Sequence, residues 1–381
     1  MQNRQKSVLY LAITLLWFSI YVYVPTLSTY AEGLGASYTL IGTILSAYGF
    51  VQMLFRLPIG IAADLTGRRK AFMLGGLGAA MAAGASFYFF RDPALLVLCR
   101  ALSGLCASTW AVYMICFGSL FSEEEQPRAL GVASSAMFVG QVPATFLGGV
   151  IAQLWGERAT FLVAVGAAVL GMLLMTRVEQ PRSTRTQQLS AQDFWQLLKN
   201  RDLWFYSLMA AFLQIALYAG GSGFASNLLK ALGANNFLLG VGTTLSNLPA
   251  IFSSALSGSF FRERWGSRRS MLLAFVIVAV TLAAMGYVST IWGILLLLLV
   301  NGFAKGLLQS LLNSLAVMDV APPLRSTGAA FFQSVYGIGM TLGPVLTGVL
   351  ADAHGMQYSL LAISALCLFP VLCIALKKQV R

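Results

Sequence analysis

The chain has 381 residues, of which 58% are hydrophobic and only 10% are charged, and its net charge is +12. A soluble domain carries roughly 25% charged residues, so a water-soluble globule is excluded because too little polar surface is present to cover it. A transmembrane barrel is excluded as well, because its strands alternate apolar and polar residues over about 10 positions and this chain has long unbroken apolar runs. Helices remain as the way to satisfy backbone hydrogen bonds in lipid. We therefore predict an all-α integral membrane protein.

The apolar runs predict twelve transmembrane helices, since a helix needs about 20 apolar residues to cross a bilayer. We number these spans 1 to 12 in chain order. They cover residues 7–30, 37–61, 70–90, 94–121, 128–152, 159–176, 203–229, 236–260, 270–288, 291–317, 325–350 and 357–376. The first run is too long for a signal peptide and lacks a small-residue cleavage site, so we expect it to be retained as a helix.

The basic residues are distributed unevenly between the predicted loops. Of the 25 Lys and Arg residues, 19 fall on the side of the two termini, 3 on the opposite side and 3 inside spans. This asymmetry follows the positive-inside rule and predicts cytoplasmic termini in a bacterial-type inner membrane. We attribute the basic excess to topology and to contact with anionic lipid, and we expect no nucleic-acid partner.

Two segments of the chain recur at almost one offset. Residues 34–42 before span 2 read LGASYTLIG, and residues 232–240 before span 8 read LGANNFLLG, 198 positions later. Residues 128–131 before span 5 share their Arg and Gly with residues 325–328 before span 11, 197 positions later. Internal repeats of this kind are typical of secondary transporters.

The repeat predicts two pseudo-symmetric six-helix bundles joined by one long loop. The N-terminal bundle covers residues 1–176, the cytoplasmic linker covers 177–202, and the C-terminal bundle covers 203–381. Apolar residues alternate with polar ones near the end of the linker, which favours a short interfacial helix on the membrane surface.

The loop between spans 2 and 3 carries a glycine- and arginine-rich motif that reads GIAADLTGRRK from Gly60 to Lys70. It resembles the G-x-x-x-D-R-x-G-R-R signature of the major facilitator superfamily, with Leu65 in place of the usual basic residue. A weaker form lies between spans 8 and 9. In the family, the motif's acid is thought to contact the start of span 11 and to latch the two halves. The resemblance therefore implies a latch formed by Gly60, Asp64, Gly67, Arg68, Arg69, Glu263, Gly266 and Arg268. The alternative is a turn that only sets the topology.

Further motifs lie inside the spans. Arg100 and Gly104 in span 4 resemble the R-x-x-x-G motif of proton-coupled family members. Spans 5 and 11 resemble degenerate forms of the antiporter motif G-x-x-x-G-P-x-x-G-G. Small residues allow close helix approach and proline bends a helix, so we predict a helix-packing role, with ordinary packing as the alternative. The residues concerned are Gly104, Pro143, Gly148, Gly149, Gly339, Gly343 and Pro344.

Ionic residues inside the predicted spans are candidates for function, because a charge at the bilayer centre costs about 2.5–3.5 kcal/mol. They are Arg56, Arg100 and Lys305. Arg56 lies near the end of span 2 and can extend to the surface, so we interpret it as structural. Arg100 and Lys305 remain as candidates, and two cations that face one central cavity would favour an anionic substrate.

The family resemblance implies that spans 1, 4, 7 and 10 line the central cavity. On these spans, aromatic and polar residues recur at helical spacing, as in Asn301, Lys305 and Gln309. We predict a substrate site formed by Lys305, Arg100, Asn301, Gln309, Gln214, Tyr218, Trp17, Tyr21 and Tyr113. Hydrogen bonds between helices are the alternative explanation for about half of these residues.

All 13 acidic residues lie in loops or at the ends of spans, so no mid-span carboxylate is available to carry a proton. Coupling could run through Glu32, through Asp64 or through a substrate carboxylate that meets Lys305, or it could be absent. No enzyme, metal or nucleotide motif is present, and we expect no enzyme activity, cofactor or metal.

The resemblance, above all to drug/proton antiporter-type efflux members, implies a secondary active transporter. We predict proton-coupled export of a small amphipathic or anionic molecule by a monomer in contact with membrane lipid. The alternatives are an organic-anion importer or uniporter on the same fold, and a lipid flippase.

Overall fold

The computed structural model describes residues 2–122, 125–178, 197–321 and 324–377. Within these residues the chain is helical without strands, and twelve helical spans are long and apolar enough to cross a membrane. The predicted fold class and number of spans are therefore confirmed. Most of the predicted linker, including its interfacial helix up to residue 196, lies outside the described residues.

The spans lie within a few residues of their predicted positions. Their helices are Gln2–Tyr21 with Val24–Gly33 (span 1), Tyr38–Thr66 (span 2), Arg69–Phe89 (span 3), Leu96–Ser108 with Trp110–Gly118 (span 4), Gln126–Trp155 (span 5), Glu157–Thr176 (span 6), Arg201–Ala219 with Ala225–Ala231 (span 7), Asn236–Leu256 (span 8), Ser267–Met285 (span 9), Ile291–Met318 (span 10), Arg325–His354 (span 11) and Met356–Leu366 with Leu368–Leu376 (span 12). We call the side of the bundle that carries the first and last described residues the terminal side, and the other the opposite side.

The twofold repeat is present in the turns between spans. The residues with positive φ among those described are glycines, and they form three pairs that are 198 or 199 positions apart. The pairs are Gly35 with Gly233, Gly67 with Gly266, and Gly156 with Gly355. After the first pair, Ser37 accepts a hydrogen bond from the Leu40 N–H at 3.2 Å, and Asn235 caps span 8 in the same way. Equivalent turns thus start equivalent helices.

A second repeated contact joins span 3 to span 6 in the N-terminal half and span 9 to span 12 in the C-terminal half. The Lys70 ammonium at the start of span 3 donates to the carbonyl oxygens of Thr176 at 3.0 Å and Val178 at 2.6 Å. Arg268, 198 positions later, donates to the carbonyl oxygen of Ala375 at the end of span 12. A cation at a helix C-terminus binds free carbonyl groups and interacts favourably with the helix dipole. In each half, one cation therefore links the start of the third span to the end of the sixth span.

Glycines set the close approaches between helices of one half. A Cβ at Gly148 in span 5 would meet the carbonyl oxygen of Val22 in span 1. In span 11, Gly339 and Gly343 also lie close to the backbone of span 7, at Ala211 and Ile215. Likewise, a Cβ at Gly104 in span 4 would meet the backbone of span 2 at Tyr48. These glycines therefore allow backbone-to-backbone packing that a larger residue would prevent.

The two halves meet along two seams on the opposite side. In the first seam, Gly42 of span 2 packs on the backbone of Pro344 in span 11. In the second, Gly149 of span 5 packs on Gly240 of span 8, where a Cβ on Gly149 would lie 2.6 Å from the Gly240 Cα. Pro143 and Pro344 lie inside their long helices.

The seam between spans 5 and 8 opens towards the terminal side. The hydroxyl groups of Thr145 and Thr244 hydrogen-bond at 3.0 Å. Closer to the terminal side, an apolar groove of about 440 Å³ lies beside span 5. It is lined by Gly131, Ser134, Ser135, Phe138, Val139, Val142, Pro143 and Ile251. The halves are thus in contact at the opposite side, and a groove separates these helices towards the terminal side.

Candidate functional site

A buried arginine marks the centre of the N-terminal half. The Arg100 side chain is only 4% exposed, and its guanidinium lies over the rings of Tyr48, at 4.5 Å from the centroid, and Tyr23, at 5.9 Å. Its Nε and Nη1 atoms are buried and have no hydrogen-bond partner among the described residues. Since a guanidinium keeps its proton in proteins, this site holds a positive charge that no carboxylate of the described residues neutralises.

Tyrosines from both halves surround this charge. Tyr21 of span 1 lies near Tyr48 of span 2. Tyr218 of span 7 and Tyr336 of span 11 lie within electrostatic range of Tyr21 and of each other, and Tyr218 also of Arg100. We call Tyr21, Tyr48, Tyr218 and Tyr336 the tyrosine cluster. The cluster therefore places tyrosine hydroxyl groups of both halves near the Arg100 guanidinium.

Breaks in the helices position this cluster. Span 1 is interrupted between Tyr21 and Val24, and span 4 is interrupted at Thr109. Span 7 widens to a π-helix over Gly220–Phe224, directly after Tyr218. Discontinuous helices at the midplane are a feature of transporter binding sites, because unwound backbone there lines a cavity.

The C-terminal half contributes a second cation within its spans. The Lys305 ammonium of span 10 donates a hydrogen bond to Asn247 Oδ1 of span 8 at 2.8 Å, and the side chain is half-buried. One turn further, Gln309 accepts a hydrogen bond from the Gln214 amide of span 7 at 3.0 Å. Lys305 thus points into the helix bundle and contacts a neutral partner.

The predicted stripe on span 10 is divided between different neighbours. Asn301 is 3% exposed and donates to Thr281 Oγ1 of span 9 at 2.8 Å, while Lys305 contacts span 8 and Gln309 contacts span 7. Residues four apart on an α-helix diverge by about 40°, so the three side chains fan out. Asn301 therefore lies in a helix-to-helix contact.

Two aromatic candidates also lie in packing positions. The Tyr113 hydroxyl donates to the carbonyl oxygen of Met73 in span 3 at 2.9 Å, and its side chain is fully buried. Trp17 is 4% exposed and packs edge-on against Trp110, with ring centroids 5.5 Å apart. Trp17 also contacts Tyr21, at 5.9 Å between centroids, and so supports the tyrosine cluster from behind.

Sequence reasoning missed several residues of this centre. They are Tyr23, Tyr48, Gln52, Asn247, Gln333 and Tyr336. Most lie on spans 2, 8 and 11, which the family resemblance did not place at the cavity. A signal was present for span 2, since Tyr48, Gln52 and Arg56 follow the spacing of one helix face.

The predicted latch of the N-terminal half makes a contact within its own loop. Asp64 is 30% exposed and pairs with Arg69, whose Nη2 lies 2.6 Å from the carboxylate oxygen. Gly67 ends span 2 with φ +64 and so permits the tight turn. Arg68 and Leu65 are exposed, and Gly60 has no atom within 4 Å of its Cβ position.

The weaker motif of the C-terminal half has no equivalent ion pair. Position 267, which follows Gly266 as Arg68 follows Gly67, is a buried serine, and Glu263 is exposed. Arg268 instead fastens span 9 to span 12, as described above. The latch role of both motifs stays a prediction.

Two acids lie in the seam at the opposite side, where sequence reasoning assigned no contact. Asp352 at the end of span 11 accepts hydrogen bonds from the backbone N–H groups of Tyr38 at 3.0 Å and Thr39 at 2.8 Å. Glu32 of span 1 accepts one from the Asn227 amide of span 7 at 2.6 Å. Both carboxylates therefore bind residues of the other half.

Among the described residues, no group of three or more His, Cys, Asp or Glu side chains could hold a metal ion. Two related six-helix bundles that meet around buried cations and tyrosines define a membrane transport protein of the twelve-helix type.

The comparisons with known proteins agree. The family model of the Major Facilitator Superfamily matches residues 9–230 and 211–380, and the chain belongs to this superfamily, whose members are transporters and not enzymes.

Individual relatives are distant. The chain is 22% identical over 352 residues to a synaptic vesicular amine transporter of Mus musculus, with 88% of this chain and 66% of that protein covered. It is 24% identical over 372 residues to the multi-drug resistance efflux pump PmrA of Streptococcus pneumoniae, with 92% and 91% covered. The chain thus spans just under two thirds of the amine transporter's length.

Among solved structures, the chain is similar to a bacterial homologue of the human lysosomal transporter Spinster in an inward-facing, unoccupied conformation. The TM-score is 0.80 at 16% identity, and the match covers 98% of this chain and 96% of the other. At this identity the likeness shows the fold alone.

Proposed function

We propose that this transporter exports a small amphipathic or anionic molecule from the cytoplasm by alternating access. The observation that carries the proposal is the pair of cations inside the spans, buried Arg100 and half-buried Lys305, whose contacts in the described residues are all with neutral groups. A buried charge without a counter-ion is costly, and an anionic substrate would supply that counter-ion.

The tyrosine cluster supports an amphipathic ligand. Ligand sites combine apolar and aromatic walls with a few polar groups that fix orientation. Tyr21, Tyr218 and Tyr336 are half-buried and present both a ring face and a hydroxyl group. The cluster also contains residues of both halves, so a bound substrate would contact each half as the halves move.

Export is supported by the basic residues on the terminal side, which favour a cytoplasmic position of that side, together with the groove that opens there. The relative named as a multi-drug efflux pump points in the same direction. Proton coupling is part of the proposal, and a substrate carboxylate that meets Lys305 is one route for the proton, because the spans carry no central acid.

The experiment is a substrate panel in a strain that lacks the transporter, scored for sensitivity and for extracellular metabolites. Counterflow in inverted and right-side-out vesicles, with and without a pH gradient, then determines direction and coupling. Uptake by inverted vesicles driven by an acidic lumen is the expected result. Uptake at the same rate with and without the pH gradient contradicts proton coupling and favours a uniporter.

Lys305→Ala tests the cation itself. We expect this variant to lose export at normal expression, because the substrate would lose one of its charge partners, whereas Arg177→Ala at the exposed end of span 6 is the matched control and should transport normally. Wild-type export by Lys305→Ala contradicts the proposed role of this residue.

A lipid flippase is the second candidate, favoured by the apolar groove beside spans 5 and 8. A groove that opens sideways in the membrane would admit an acyl chain. Fluorescent phospholipid accessibility in proteoliposomes separates the two functions. Lipid movement that exceeds that of protein-free liposomes favours the flippase.

A further inference from the structure

Span 2 carries a second buried arginine on the same helix face as the tyrosine cluster. Tyr48, Gln52 and Arg56 are spaced i, i+4, i+8 and are 2%, 5% and 5% exposed. The Gln52 amide donates to the Tyr48 hydroxyl at 3.4 Å, and the Arg56 Nη1 donates to Gln333 Oε1 of span 11. The sequence suggested that Arg56 extends to the membrane surface, but its side chain is instead enclosed in the seam between the halves.

Arg56 and Arg100 belong to one electrostatic site. The Arg100 guanidinium lies over the Tyr48 ring, and both arginines lie within electrostatic range of Tyr48 and of Tyr218. Along span 2, the Cα atoms of Tyr48 and Arg56 are about 12 Å apart, from the rise of 1.5 Å per residue. The Arg56 guanidinium is held on the side of span 11 by its hydrogen bond to Gln333.

Both guanidinium groups have donors that no atom of the described residues accepts. These are the Arg56 Nε and the Arg100 Nε and Nη1, all of them buried. Leaving a buried donor unsatisfied is unfavourable, and more so when the group is charged. No carboxylate of the described residues pairs with either arginine. The site therefore lacks a negatively charged acceptor beside Arg56 and another beside Arg100.

We propose that Arg56 forms a second anion-binding subsite, so that the preferred substrate is a dianion with two carboxylate or phosphate groups on a flat apolar body. This inference rests on the proposed function, in which Arg100 binds the first anionic group. The planar fork of arginine matches carboxylate and phosphate oxygens. The apolar body lies between the two arginines, against the tyrosine cluster, and Gln52 orients the second group from the side.

Three ligands of one skeleton test this inference on the purified full-length protein. They are benzene-1,4-dicarboxylate with two charges, its monomethyl ester with one charge and nearly the same size, and uncharged benzamide. Thermal unfolding of the detergent-solubilised protein is followed against the concentration of each ligand. We expect the dicarboxylate to bind about tenfold more tightly than the ester, since a hydrogen bond between two charged groups is stronger than one to a neutral group, and benzamide to have no effect.

Variants assign the two charges to the two arginines. Arg56→Gln should bind the dicarboxylate only as tightly as the ester, because the second charge loses its partner, whereas Arg100→Gln should lose binding of both. Arg56→Lys keeps the charge without the fork and should retain part of the preference. Arg177→Gln, which removes an exposed arginine outside the site, is the matched control and should bind as the wild type does.

The outcomes separate the inference from the function on which it rests. Equal binding of dicarboxylate and ester by the wild type overturns the second subsite and leaves an anionic substrate in place. A preference that persists in Arg56→Gln also overturns it. No binding of either anion above the benzamide level contradicts the anionic substrate as well. If Arg56→Gln does not fold, the comparison of dicarboxylate with ester in the wild type still decides the charge preference.

Discussion

The seam between spans 2 and 11 has a carboxylate near each end, and the two make different contacts. At the opposite side, Asp352 of span 11 accepts two backbone hydrogen bonds at the start of span 2, in the other half. At the terminal side, Asp64 of span 2 pairs with Arg69 in its own loop. The difference teaches that one end of the seam is fastened across the halves, while the acid at the other end is held within one half.

The fastened end has an internal counterpart that lacks the charge. Gln153 of span 5 occupies the position 199 residues before Asp352, and its Oε1 accepts a hydrogen bond from the Asn236 N–H at the start of span 8, at 3.1 Å. Asp352 therefore adds a charge–dipole attraction that Gln153 cannot supply. In alternating access, such contacts hold one side closed until the other side closes.

The largest effect is expected from a wedge in the seam. Gly149→Leu would place a side chain against the Gly240 backbone and force spans 5 and 8 apart at the opposite side. Overpacking costs about 1–3 kcal/mol, so transport should fall about tenfold or more, measured as initial rate in proteoliposomes. Gly166→Leu, with nothing within 4 Å of its Cβ position, is the control. Equal rates for the two variants would show that this seam need not close.

A smaller effect is expected from removal of the charge at the opposite side. Asp352→Asn keeps the shape but loses the charge at the start of span 2, which is worth about 0.3–1 kcal/mol at an exposed position. Spin labels on spans 2 and 11 at this end should report a larger separated population. Gln153→Glu, which adds a charge in the seam between spans 5 and 8, should reduce this separated population. A distance distribution that neither variant alters would show that the charge does not stabilise the closed seam.

The smallest effect is expected at the terminal side in the conformation described here, where Asp64→Asn removes the charge from a partly buried ion pair but keeps an oxygen that can accept from Arg69. Its effect on transport should exceed its effect on stability if Asp64 binds the start of span 11 later in the cycle. We expect turnover to fall while the unfolding temperature changes little, because the hydrogen bond to Arg69 is retained. Asp202→Asn, which removes the charge from the Asp202–Lys377 pair outside both motifs, is the matched control. Unchanged turnover of Asp64→Asn in well-expressed protein would remove the latch role.

The candidate site could be predicted only in part. Arg100, Lys305, Tyr21 and Tyr218 stand out because a charged or aromatic residue at the right depth of a cavity-lining span is visible in the sequence. Asn301 and Tyr113 satisfy the same pattern, yet they hydrogen-bond to spans 9 and 3. Helical spacing gives the direction of a side chain around its own axis, and it does not tell which neighbouring helix stands there.

The sequence by itself determined the membrane class, the twelve spans and the twofold repeat. These follow from hydropathy over about 20 residues and from local turn chemistry, both of which act within a short stretch of chain. Only the tertiary structure decided that Arg56 is buried against Gln333 and that Asp352 caps span 2 from a distance of more than 300 residues along the chain. Such contacts depend on how two helices far apart in sequence are placed side by side, and no local pattern encodes that placement.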